Sequence, residues 1–427
     1  MNPQLKDKTL GFVDYGNYLP AAMRLAREED GFGKVKYFCS WQSAYPKYDP
    51  YVIGYGVNTI LPNFEQVHSI FDMMADVDIW MFPDLYMGDI QDWLREQGHL
   101  VFGAGRGENM ELHRDRMKVH LQELGLPVNK WEAIEGLDAL RKHLEENKDL
   151  WVKTNMFRGA MESFHHDEYK LTKPRLDRFE HTLGIYKERQ KFIVEAPIND
   201  SIDFAIDMIT ADGKYPLKSL MGVEQKNASY CGVFTDVSKA PKGLIDIHDK
   251  LSKTLRQYNY RMALSLESRI TKDGTAYLCD PCCRLPEPPS SLYIEMYDNF
   301  PQLVWDTASG DTPQITSKYK YGVELIIKSE FAKKDPVAIF FPDEIKNFVK
   351  IKNLCIQDGV YFFVPQEHDM EEIGAVVAFS NTLKEAKKLC LDRADMIKGD
   401  GVFVEKEALD RADKDIEQLV KFGIKIF

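Results

Sequence analysis

Two acidic residues flank a tight turn in the stretch "LSLESRITKDGTAYLCDPCCR", Glu267 before it and Asp280 after it. Asp-Gly between runs of alternating apolar residues signals a hairpin, and adjacent antiparallel strands can bring two such carboxylates within reach of one cation. Two or three oxygen ligands, completed by water and substrate phosphates, are the usual protein share of a magnesium site. Taken alone, the pair reads equally as the polar face of an ordinary hairpin. Cys279, Cys282 and Cys283 in the same stretch raise a zinc reading. A structural zinc needs four ligands, and no second paired cysteine or His-x-His stretch supplies them, so the thiols read as small buried residues. His165 and His166 could ligate a metal but read as part of a solvated lid loop.

The elements that must carry these residues fall into three groups. The first hundred residues alternate strand and helix signals: "TLGFVDYG", an amphipathic "LPAAMRLAREED", "KVKYFCSW", then "VDIWMFP", "YMGDIQDWLREQG" and "HLVFGAG". Such alternation builds a parallel sheet covered by helices, a Rossmann-like half. The turn "DYGNYLP" lacks the G-x-G-x-x-G spacing of a dinucleotide site, which removes most support for a dehydrogenase. Met110, Met117, Leu121 and Leu124 then predict a helix over 110–124. Leu137, Leu140 and Leu144 predict another before the strand "LWVKTN", and with "KFIVEAPI" they outline a small α+β module from Asn129 to Glu195. From Asp203 to Cys279 strand signals dominate, with Asp-Gly turns at "ADGK" and "KDGT". Beyond Lys318 the strands "YGVELIIKS", "VAIFFP", "GVYFFVP" and "GAVVAFS" read as a separate module. They precede a helix with Thr382 and Glu385 at capping-box spacing.

The chain has 427 residues, a formal net charge of -12 and seven cysteines. That length accommodates two or three domains. The negative charge disfavours a broad nucleic-acid or acidic-lipid surface. An odd, scattered set of cysteines fits a reduced compartment with free thiols. The charged start and the lack of any run of roughly 20 apolar residues lead to the expectation of a soluble, cytoplasmic protein without membrane contact.

The order of elements and residues resembles the ATP-grasp ligases. In that superfamily one strand carries a Glu and the next an E-x-N-x-R motif, which together hold magnesium against the triphosphate. Here Glu267 matches the first acid, Asp280 the second, Cys282 the Asn and Arg284 the Arg, and "RLPEPPSS" resembles the tail that follows. The resemblance implies that Lys153 in "LWVKTN" reaches ATP phosphates, and that Glu195 in "FIVEAPI" is the hinge acid. Backbone groups of Ala196 and Ile198 would read the adenine edge, and Arg114 or Arg116 would replace an earlier phosphate lysine. Arg158, in "TNMFRGAMES", is open to two readings, a phosphate contact or an exposed arginine. Within the superfamily the chain looks most similar to the phosphoribosylamine-glycine ligase (glycinamide ribonucleotide synthetase) family. "DIWMFPDLYMGDIQDWLREQGHLVFGAG" and "GAVVAFSNTLKEAKKLCLDRADMIKGDGVF" carry that likeness.

The implied architecture is a multidomain α/β and α+β ATP-grasp fold. Residues 1–105 would form a Rossmann-like pre-ATP-grasp domain, 106–317 the ATP-grasp domain with a mobile lid at 129–195, and 318–427 a small C-terminal α+β module. The implied activity joins a small-molecule carboxylate to an amine through an acyl phosphate, with ATP and Mg²⁺ as cofactors. The amine could sit on a metabolite, a peptide or a modified nucleobase, and a homodimer would be ordinary for the family. Three departures stand out. Cys282 offers a soft sulfur where an amide oxygen is expected, the loop after Lys153 has only Gly159, and "QKNASYCGVF" lacks a glycine-rich run. They motivate an alternative, a nucleotide-binding scaffold or regulator without ligase activity. A metal-dependent hydrolase built on the Cys and His residues has little support.

Overall fold

A computed structural model describes residues 3–39, 51–156, 163–365 and 371–427. Arg158 lies outside the described residues. The N-terminal strands β1 (Thr9–Asp14), β2 (Lys34–Cys39), β3 (Phe64–Val67), β4 (Ile79–Met81) and β5 (Leu100–Phe102) form one parallel sheet in the order β3-β2-β1-β4-β5. The sequence order reverses between β1 and β4, so the crevice at their carboxyl ends is the topological switch point where open α/β sheets hold ligands. Leu10, Phe12, Val35, Tyr37, Ile79 and Met81 are fully buried within this sheet.

The predicted helix over 110–124 is two helices, Asn109–Leu112 and Arg114–Glu123, with a break at His113, whose φ of -101° and ψ of 74° are not helical. Side-chain capping explains the break, because Asn155 Oδ1 accepts the Arg114 N–H at 2.8 Å and thereby ties the second helix to the strand end at Thr154. Next comes a four-stranded antiparallel sheet, β6 (Trp131–Glu135), β7 (Leu150–Thr154), β8 (Ser163–His166) and β9 (Lys191–Glu195), ordered β6-β9-β7-β8. Helices Leu137–Glu146 and Tyr169–Leu183 cover it. Leu137, Leu140, Leu144, Val152, Phe164, Leu176, Phe179 and Phe192 form a core of their own, separate from the main one.

The largest sheet runs β14 (Ala276–Cys282), β13 (Arg261–Thr271), β10 (Ser201–Ala211), β11 (Lys218–Gln225), β12 (Ser229–Asp236) and β15 (Tyr321–Ser329), then strands Glu372–Ser380 and Val349–Ile351. The strands beyond Lys318 divide: Val337–Phe340 and Val360–Phe363 pair with Leu354–Gln357 and Lys398–Gly399 in a four-stranded sheet of their own, whereas Tyr321–Ser329 and Glu372–Ser380 extend this sheet through the β12–β15 ladder. Their apolar alternation matches what β12 needs on its open edge. Helix Lys242–Gln257 buries Leu244, Ile247, Leu251 and Leu255 in the main core. Both Asp-Gly turns form: Asp212 and Gly213 both have positive φ, at 53° and 76°, and Gly274 sits at 85°. The C-terminal helix Leu383–Met396 starts as predicted, with Thr382 Oγ1 accepting the Glu385 N–H at 3.3 Å. The Glu385 carboxylate reaches the Ser380 hydroxyl. Among the described residues no helix is long and apolar enough to cross a membrane.

Candidate functional site

Glu267 lies directly opposite Asp280 in the β13–β14 ladder, with a bulge immediately after Glu267. Directly opposed residues of an antiparallel pair share a sheet face, so both carboxylates project to one side. Glu267 is exposed and Asp280 half-buried. Lys153, on β7, crosses from the small sheet to meet Asp280. Its Nζ lies 2.9 Å from Asp280 Oδ2, donates to the Cys279 carbonyl at 2.8 Å, and is 3.9 Å from Glu195 Oε1. Burial opposes its charge, but the carboxylates of Asp280 and Glu195 outweigh that and hold the ammonium well above the ordinary lysine value. Lys153 is thus held as a cation between Asp280 and Glu195.

Of the two candidate arginines, the structure brings one to the site. Arg114 is 4% exposed; its Nε lies 3.2 Å from Asp280 Oδ1 and its Nη1 donates to the Thr154 carbonyl at 2.6 Å. Arg116 is exposed. The helix explains the choice, since positions four apart share a face. The residue on that face is Lys118, which sequence reasoning missed. Its Nζ is 3.1 Å from Glu195 Oε1 and donates to Asn129 Oδ1 at 3.0 Å. The i,i+4 spacing from Arg114 was the signal that could have found it. Three cations and two carboxylates, from a helix, β7, β9 and β14, form one connected network.

Glu195 is 5% exposed at the end of β9. In the strap that follows, the Ala196 N–H donates to the Lys130 carbonyl at 2.9 Å, and the Ala196 carbonyl accepts from Asn129 Nδ2 at 2.9 Å. The Ile198 carbonyl accepts from Ser201 Oγ at 2.6 Å. Arg284 lies beyond β14, toward the N-terminal sheet: its Nε donates to Glu111 Oε1 at 3.1 Å, and its Nη1 is 3.5 Å from the Tyr18 hydroxyl and 3.9 Å from Asp84 Oδ1. Glu111, whose side chain is 1% exposed, also accepts the Cys283 N–H. Leu285 clips this segment to the first sheet, its N–H donating to the Pro83 carbonyl at 3.0 Å and its carbonyl accepting from the Tyr18 hydroxyl at 2.8 Å.

Glu224 on β11 is a further acid not singled out from the sequence. Ala205 pairs with Gly222, and the β10–β13 register places Glu267 opposite Ala205. Glu224, two residues on from Gly222, therefore occupies the same face as Glu267. Burial, and then the charge of Glu267, push its carboxyl well above the usual range. All seven cysteines are free thiols, none of them belongs to a cluster of three or more possible metal ligands among the described residues, and burial pushes Cys279 up to about 11. His165 and His166 sit on strand β8, not in a loop. His166 is buried and bonded to Thr172 Oγ1 at 2.7 Å, whereas His165 stands between Asp149 at 2.9 Å and Asp167 at 3.1 Å. Two facing carboxylate positions beside fixed cations make a donor set for a hard divalent ion and an anionic oxygen cluster.

No protein-family model matches the chain, and no curated protein matches it by sequence. Solved structures do match over nearly its whole length. Phosphoribosylamine–glycine ligase from Thermotoga maritima superposes with a TM-score of 0.71 at 13% identity, covering 93% of this chain and 99% of that one. The biotin carboxylase domain of 2-oxoglutarate carboxylase from Hydrogenobacter thermophilus, solved with MgADP and bicarbonate, gives 0.66 at 10% identity, with 95% and 98% covered. N5-carboxyaminoimidazole synthetase from Staphylococcus aureus, complexed with ADP, gives 0.59 at 13% identity, with 90% and 96% covered. The chain thus has the ATP-grasp fold.

Proposed function

We propose that this ATP-grasp chain is an ATP-dependent carboxylate–amine ligase that works through an acyl phosphate. The observation that carries the reading is the meeting of Lys153 with Asp280, itself opposite Glu267, at the junction of the small and large sheets. In the reaction the substrate carboxylate oxygen attacks the terminal phosphorus of ATP as the bond to the ADP oxygen breaks. The amine then attacks the acyl carbon, phosphate leaves with the bonding pair, and the nitrogen gives up its proton. Phosphoryl transfer of this kind depends mostly on alignment and charge neutralisation.

Each residue of the network has a place in that scheme. Lys153, Lys118 and Arg114 would neutralise phosphate oxygens, and Glu267 and Asp280 would hold Mg²⁺, which shields the triphosphate charge when bound. Glu195 and the Ala196–Ile198 strap would receive the adenine edge. Arg284 would steady the carboxylate or the transferring group. We assign residues 1–105, 106–317 and 318–427 to the three parts, with 129–195 as the lid; its separate core suits a body that closes over nucleotide and excludes water from an acyl phosphate. Cys282 favours a second reading, a nucleotide-binding scaffold, because sulfur replaces an expected oxygen ligand.

ADP titration followed by calorimetry tests the site. The wild type should bind ADP more tightly with Mg²⁺ than without. The double variant Glu267→Gln, Asp280→Asn should lose that Mg²⁺ dependence while keeping a folded circular-dichroism spectrum and a cooperative melt, its midpoint lowered because Lys153 and Arg114 lose a partner, and Lys153→Met should weaken ADP by about tenfold or more. Absence of ADP binding by the wild type, or an unaltered Mg²⁺ effect in the double variant, would refute the assignment. Phosphate release that requires both an acid and an amine separates ligase from scaffold.

A further inference from the structure

Asp280, one of the two acids assigned to Mg²⁺, has both of its oxygens engaged by cations of the chain itself. Its Oδ2 lies 2.9 Å from Lys153 Nζ and its Oδ1 3.2 Å from Arg114 Nε. The two cations come from different elements, one from β7 and one from the helix Arg114–Glu123. Backbone oxygens fix both in place: Lys153 donates to the Cys279 carbonyl at 2.8 Å and Arg114 to the Thr154 carbonyl at 2.6 Å. Lys153 is 6% exposed and Arg114 4%, so water screens neither charge well from the aspartate. A divalent ion and these two side chains therefore compete for the same carboxylate.

Charge decides that competition. Lys153, Lys118 and Arg114 face Asp280 and Glu195, three positive charges to two negative ones. Glu267, opposite Asp280 in the ladder, makes the count three to three. A bare divalent ion would leave this cluster strongly positive. Drawing Asp280 onto it would also strip two buried cations of their carboxylate, a costly step in poorly solvated surroundings. A polyphosphate reverses both effects, because its oxygens give Lys153 and Arg114 new charge-assisted partners and its negative charge favours a metal beside it.

We propose that Lys153 and Arg114 are an electrostatic gate on Asp280: they keep divalent metal off its carboxylate until the phosphates of a nucleotide take up the two cations, so nucleotide enters before the metal or together with it. The proposal rests on the ATP-site reading and adds an order of events to it. It also fixes a reciprocity. The factor by which nucleotide strengthens metal binding must equal the factor by which metal strengthens nucleotide binding.

The test follows Mn²⁺, a hard ion that takes the same oxygen ligands as Mg²⁺, by electron paramagnetic resonance on the full chain with and without ADP. The wild type should bind Mn²⁺ at least about tenfold more weakly without ADP than with it. Lys153→Met should move two affinities in opposite directions, tightening nucleotide-free Mn²⁺ by about tenfold while weakening metal-free ADP by about as much. Arg114→Gln provides a second variant should the first fail to fold, with the same pair of changes expected. Adding Asp280→Asn to either should abolish the gained Mn²⁺ site, which separates it from the exposed group of Asp149, His165 and Asp167 in the small sheet. Wild-type Mn²⁺ binding indifferent to ADP, or nucleotide-free Mn²⁺ affinity that fails to rise in both variants, would overturn the proposal. Failure of the wild type to bind ADP under any condition would instead strike the nucleotide-site reading, so the two failures are distinguishable.

Discussion

At the scale of single residues, Asp14 is the acid whose environment is most informative. It sits at the end of a fully buried strand, accepts the Tyr37 hydroxyl at 2.8 Å and the Tyr15 N–H at 2.7 Å, and burial reinforced by Asp84 still pushes it up to about 7. Its folded value lies above its unfolded one, so between about 4 and 7 the folded chain binds the extra proton. Stability from this group is complete below the unfolded value and is lost as pH rises through the folded one. Asp14→Asn removes that dependence. Thermal melts at pH 5 and pH 8 should therefore show the variant losing ground to wild type at pH 5 and recovering part of the difference at pH 8; a gap that widens toward pH 8 would contradict the assignment. Residue types across an Asp-Gly hairpin drew attention to Glu267 and Asp280, and the resemblance of an ordered set of residues drew attention to Lys153; the structure brings Lys153 against Asp280. Lys118, Glu224 and Asp14 were not conspicuous, since what marks them is which long-range neighbours they meet.

At the scale of elements, hairpins and amphipathic helices were legible because their signals are local. The break at His113 was not, as it depends on an asparagine 41 positions beyond Arg114. The same limit hid the role of Gly222 and Gly232, which face each other across β11 and β12. Their lack of side chains lets the Tyr230 ring lie across both strands and donate its hydroxyl to Asp207 at 2.6 Å. A Cβ at Gly232 would come within 2.5 Å of that ring. Gly232→Ala should cost about 1–3 kcal/mol through overpacking, read as a lower denaturation midpoint with an unchanged slope. No loss of stability would mean that the ring has room to move. Tyr230→Phe, which keeps the ring and drops the hydroxyl, should cost about 1 kcal/mol or more by leaving the buried Asp207 short of a donor.

At the scale of the whole molecule, the alternating β/α start and the strand-rich middle announced the two large sheets, and the resemblance of a few ordered residues matched the fold found over more than nine-tenths of the chain. What sequence could not reveal was that β15 and Glu372–Ser380 complete the sheet begun by β10–β14, because strand partnership across almost a hundred residues leaves no local mark. The part of the chain that carries the candidate site and the C-terminal region consequently share one hydrogen-bonded surface and one main core. A chain ending at residue 318 would strip β12 of its neighbour along five paired positions, Ser229 to Val233. Bare strand edges recruit other edges, so this shortened protein should sediment as soluble aggregates or precipitate, where the intact chain gives one discrete species. The last hundred residues therefore act as a selvedge, the finished border that keeps the woven sheet from fraying into its neighbours.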